Sequence, residues 1–109
     1  MKLYIGGAYQ GQAELARAEN PDAELFFDFH ERIRQAVLEE GREPGEFARA
    51  FCREHPQAVV VADEVGSGVV PIEAEARAYR EAVGRALCVV AQSAEAVTRC
   101  VCGIGVRVK

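Results

Sequence analysis

Ala58-Val59-Val60-Val61-Ala62 is apolar without interruption, and no polar residue alternates through it. A strand with one face in water alternates in hydropathy, so this run describes a strand covered on both faces, as in a parallel sheet flanked by helices. The run is predicted to be the middle of the sheet. Lys2 to Ile5 and Glu24 to Phe27 read as further short strands, and the chain closes with strands at Val97–Cys102 and Val106–Val108 around Gly103-Ile104-Gly105.

Helical stretches alternate with these strands. Gln12 to Glu19 is a run of good helix formers, stopped by Asn20-Pro21-Asp22. Asp28, with Glu31 three residues later, has the capping-box pattern for a helix whose apolar face is Ile33, Ala36 and Val37 and which Gly41 ends. Pro44 suits the first turn of a third helix, with Phe47, Ala50 and Phe51 on its buried face. A long fourth helix is predicted from about Ile72. Its apolar stripe runs through Ala76, Tyr79, Val83, Ala86 and Val90, with Glu73–Arg77 and Glu81–Arg85 paired on the wet side and Gly84 as a close-packing position. The result is an α/β fold over residues 1–109: a single domain with a mostly parallel sheet, right-handed crossovers and ligands expected at the carboxyl ends of the strands.

Composition excludes several alternatives. With 109 residues, 50% hydrophobic and 28% charged, the chain can build one core but not two, and it is too apolar for wholesale disorder. The net charge of −4 comes from the first half, and no basic arm is present for nucleic acid. The longest apolar stretch, Ala86 to Ala91, is far below the ~18 residues of a membrane span. Met1 to Ile5 runs straight into glycines, unlike a signal peptide, so a cytoplasmic protein is expected. Cys52, Cys88, Cys100 and Cys102 have neither CxxC spacing nor a matching His pair and read as reduced thiols, with Cys100 and Cys102 packing on one strand face. His30 and His55, each beside acids at a helix end, read as surface residues.

Three segments could carry chemistry. Gly6-Gly7-Ala8-Tyr9-Gln10-Gly11 joins a strand to a helix with the glycine spacing of the phosphate-binding loop GxxxxGK[ST], whose amides approach phosphates while Lys neutralises charge and Ser or Thr ligates magnesium. Gln12 and Ala13 stand at the last two positions, so the cradle is present without its cation or its hydroxyl; the same residues also suit a plain glycine turn. Asp63-Glu64-Val65-Gly66-Ser67-Gly68 places two carboxylates at a strand end, for magnesium, for a substrate hydroxyl, or as a solvated loop. Asp28 ends an apolar strand, where phosphoryl-transfer enzymes place a magnesium-binding acid and where a plain helix cap is the simpler role.

Asp63-Glu64-Val65-Gly66-Ser67-Gly68-Val69-Val70-Pro71, then Arg77 to Arg85 with its Gly84-Arg85 pair, then Gly103-Ile104-Gly105-Val106-Arg107-Val108-Lys109, resembles the C-terminal half of the adenosylcobinamide kinase/adenosylcobinamide-phosphate guanylyltransferase family. Gly6 to Gly11 is similar to that family's P-loop. The resemblance implies a P-loop NTPase-like domain acting in cobalamin biosynthesis. It implies ATP or GTP with Mg2+ as cofactors, a corrinoid as the second small molecule, and a homo-oligomer, commonly a trimer. It further implies nucleotide binding by Gly6, Gly7, Ala8, Tyr9, Gln10, Gly11, Gln12 and Ala13, and catalysis by Asp28 and Glu64, with Asp28 on the metal. Substrate contacts would come from Asp63, Glu64, Gly66, Arg77 and Arg80, the two arginines reaching a neighbouring subunit. Phosphoryl transfer to the aminopropanol hydroxyl is the expected activity, and a non-catalytic nucleotide or corrinoid binder is the alternative. Members transfer guanylyl through a histidine in a segment between the first helix and the second strand. This chain lacks that segment, and His30 does not inherit the role.

Overall fold

The computed structural model describes residues 1–65 and 73–109. Its central strand is the first of the chain. β1 (Lys2–Gly6) is followed by α1 (Gln12–Glu19), β2 (Leu25–Phe26) and α2 (Phe29–Arg34), which runs on as a π-helical turn at Gln35–Glu39. Then come α3 (Pro44–Glu54), β3 (Val59–Asp63), α4 (Ala74–Ser93), β4 (Ala96–Val101) and β5 (Ile104–Arg107). The sheet has the order β2-β3-β1-β4-β5, parallel except for the β4–β5 hairpin. The expected α/β fold is therefore present, but the Ala58–Ala62 run lies one place from the middle. Both β1 and β3 are covered on two faces, and what decides which is central is the return of β4 along the far side of β1.

Helices α2, α3 and α4 cover one face, packing Phe29, Ile33, Phe51, Val83 and Val90 onto Leu3 and Val60. Helix α1 covers the other, with Ala16 over Tyr4, Val59, Val61 and Cys100. Several local readings are corrected. The Asp28 backbone is left-handed (φ 51°) and its side chain makes no cap bond; the Glu31 N–H bonds the Asp28 carbonyl instead, so no capping box forms. Glu43 is the cap of α3, its carboxylate accepting from Glu46 N–H at 2.6 Å. Among the described residues a Cβ on Gly84 would meet nothing within 4 Å, so this glycine serves no close packing there. Cys102 has left the strand for the hairpin turn (φ 51°) and is exposed, so it shares no packed face with buried Cys100. Ile72 lies outside the described residues, and α4 begins at Ala74.

The stripe of α4 includes Tyr79, which donates to Glu31 Oε1 at 3.4 Å. Burial, then the Glu31 carboxylate, pushes its pKa from 10.0 up to about 12. Between those values the native state keeps a proton that the unfolded chain has released, so stability falls as pH rises through that window. Tyr79→Phe is expected to flatten the fall, as urea unfolding midpoints at about pH 9 and about pH 11 would record.

Candidate functional site

The site grows from the carboxyl end of β1. A Cβ on Gly6 would lie 2.6 Å from the Cys100 carbonyl oxygen, so only glycine lets β1 end this close to β4. Gly11 turns the chain into α1 with φ 87°, a region closed to most side chains, and a Cβ there would meet Gly103 Cα at 3.0 Å. Gln10 ties the intervening loop to the β4–β5 turn. Its Oε1 accepts from Cys102 N–H at 2.7 Å and its carbonyl accepts from Gly103 N–H at 2.8 Å. Because Gly11 has no side chain to cap the helix, the first N–H groups of α1 are left for another partner.

Gln12 is turned inward. It is 5% exposed, and its Nε2 donates to Asp63 Oδ1 at 2.9 Å and to the carbonyls of Gly7 and Gly6 at 3.1 and 3.3 Å. Its Oε1 is buried without a partner among the described residues. Asp63, at the end of β3, is held from its other side by His30, whose Nδ1 accepts from Asp63 N–H at 3.0 Å. Nε2 of the same ring faces Asp63 Oδ2 at 3.7 Å. With Nδ1 accepting, the neutral ring carries its proton on Nε2. His30 is 7% exposed, so the surface reading fails for it. The sequence does hold the signal: His30 is three residues before Ile33 and seven before Val37, on the buried face of its helix. His55 is half-buried against Phe26 and Phe51, with Nδ1 3.2 Å from Glu24 Oε1.

A cavity of about 390 Å³ opens between the start of α1 and the ends of β2 and β3. The loop and helix residues Ala8, Tyr9, Gly11, Gln12 and Ala13 line it together with Asp28 and Asp63. So do two residues that sequence reasoning missed, Arg17 and Phe27, with the Arg17 guanidinium carbon 4.3 Å over the Phe27 ring centre. Arg17 is four residues after Ala13, so helical spacing puts both on one face. Gly6, Gly7 and Gln10 shape the loop without lining the cavity.

Glu64 is not brought to this cavity. It pairs with Arg99 at 3.3 Å and lines a different one, beside α4 on the opposite face of the sheet. Arg77 and Arg80 lie on the first half of α4, also away from it. Gly66 is outside the described residues. Cys100 lies beneath Gly6, where burial pushes its thiol pKa up and leaves it a packing residue. An uncapped helix start, two strand-end carboxylates and one arginine around a single cavity can hold a phosphate and a divalent cation together.

The sequence profile of the cobinamide kinase / cobinamide phosphate guanyltransferase family matches residues 40–108. The chain belongs to that family. The match spans α3 through β5, and so includes Asp63 while leaving the Gly6–Ala13 loop and Asp28 outside it. Comparison with curated proteins gives no match. The matched segment supplies one wall of the cavity, Val61 and Asp63, and the first 39 residues supply the rest. Among the described residues no helix is long and apolar enough to cross a membrane.

Proposed function

We propose that the chain binds ATP or GTP with magnesium in the cavity at the start of α1, and that it transfers a phosphoryl group to a hydroxyl of a corrinoid side chain. The observation that carries this reading is the convergence of the uncapped helix start, Asp28 and Asp63 on one cavity. Helix N-termini favour anions through their free N–H groups and dipole. The residues present also fit magnesium. No group of three or more His, Cys, Asp or Glu side chains among the described residues forms a metal cage, and magnesium bound with a nucleotide needs only one or two carboxylates beside phosphates and water. Asp28 is exposed at the end of β2 with no cap bond and would hold the ion, whose charge offsets that of the phosphates. Asp63, fixed from both sides by Gln12 and His30, would orient the acceptor hydroxyl. Arg77 and Arg80 belong in this reading to a homo-oligomer, a trimer by resemblance, reaching a neighbouring subunit's phosphate.

Guanylyl transfer through His30 has no support in the geometry. The ring is buried, one nitrogen is occupied by the Asp63 N–H and the other faces the Asp63 carboxylate. A second reading, nucleotide or corrinoid binding without catalysis, is favoured by a specific observation: the amide of Gln12 is committed to Asp63 and two carbonyls, and Ala13 has no side-chain hydroxyl to offer a metal.

The test is calorimetric titration with ATP and with GTP, each with magnesium, followed by transfer of labelled terminal phosphate to cobinamide. Micromolar binding with transfer is the expected result. Binding without transfer supports the second reading, and absence of binding by the natural protein sinks both nucleotide readings.

A further inference from the structure

The loop lacks the cation that phosphate binding ordinarily relies on, and the cavity supplies one from another place. Among the residues lining it, Glu14, Asp28 and Asp63 are acidic, and Arg17 is the single Lys or Arg. A polyanion entering this cavity therefore meets one fixed positive side chain. Arg17 has no ion pair among the described residues, although Glu14 is only three positions away. What holds it is Phe27, the last residue before Asp28, with the guanidinium carbon 4.3 Å from the ring centre. Side chains on a helix lean toward its N-terminus, so Arg17, a turn and more along α1, leans back toward the helix start.

We propose that Arg17, seated over Phe27, is the phosphate-binding cation of this site, taking up the outer phosphates of a nucleoside triphosphate in place of the absent loop lysine. The assignment rests on the nucleotide reading above. A guanidinium stacked on an aromatic face keeps its edge N–H groups free, and that edge matches two phosphate oxygens at once. Its place between α1 and the end of β2 differs from that of a loop lysine, which would sit where Gln12 is buried. Contact is therefore expected with the phosphate end that faces Asp28, and not with the nucleoside.

The experiment is titration of the natural protein, Arg17→Gln, Arg17→Lys and Phe27→Leu with ATP and GTP in the presence of magnesium, and with adenosine and guanosine as uncharged controls. Arg17 is exposed, so Arg17→Gln is expected to fold, with thermal melting as the check. Arg17→Gln is expected to weaken triphosphate binding by about tenfold or more, at unchanged nucleoside affinity. Arg17→Lys and Phe27→Leu are expected to fall between, the first losing the planar fork and the second the stacking surface. If the natural protein binds triphosphate and Arg17→Gln binds it equally well, the assignment of Arg17 is overturned while the nucleotide reading stands. If the natural protein binds no triphosphate, both fall. Equal loss of triphosphate and nucleoside binding would make Arg17 a shaping residue of the cavity and would also overturn the assignment.

Discussion

Gln12→Lys is expected to tighten binding of ATP or GTP with magnesium by about tenfold to a hundredfold, or ~1.4 to 3 kcal/mol, as calorimetric titration would measure. The buried amide of Gln12 already points its two hydrogens at three acceptors: Asp63 Oδ1 and the carbonyls of Gly6 and Gly7. An ammonium has three donors and suits such a nest better than an amide does. Burying a charge is costly unless it is paired, and here the Asp63 carboxylate is the pair. The substitution also removes Oε1, the buried oxygen that has no partner among the described residues. Its new charge lies at the foot of the uncapped helix, where an incoming phosphate gains from both. Unchanged affinity would mean that phosphates do not reach this end of the cavity.

Phe29→Ala has the largest expected effect on stability, about 3–5 kcal/mol. Phe29 is fully buried, with Phe51 edge-on at 4.7 Å and Phe47 stacked at 5.9 Å, and the cavity left by its ring has rigid sheet on one side. Against a total stability of ~5–15 kcal/mol for a domain, that is a large fraction. The urea midpoint should drop sharply at unchanged slope. Phe29 also lies between Asp28 and His30 in sequence, so loosening it frees both from their places around Asp63. Nucleotide affinity is therefore expected to fall together with stability, whereas truncating a distant core residue such as Val90 would lower stability alone.

The element types were legible because hydropathy periods report burial directly. Gln12 to Glu19 and the Ala58–Ala62 run announced a helix and a doubly covered strand, and both are present. Strand order was not legible, since Leu3 and Val60 are equally buried and neither residue encodes which strand lies beside which. At the site, the glycine spacing pointed to the loop, and strand ends pointed to Asp28 and Asp63. Glu64 is misplaced when the segment after Ala62 is read as a loop: carrying the strand's alternation one residue past Asp63, the last residue of β3, parts Asp63 and Glu64 to different faces of the sheet. Arg17 escaped because a motif ending at Ala13 gives no reason to look one turn further.

The Gln10 contacts to Cys102 and Gly103 span almost the whole chain. On a ribosome the residues that form the loop emerge first, yet β1 has no neighbour until Val59–Asp63 and then Ala96–Val101 have followed. Pairings so distant in sequence form slowly. The cavity at the start of α1 thus takes shape only after these later strands have followed, and a nascent chain stopped short of the β4–β5 hairpin would carry the loop sequence without the contacts that fix it.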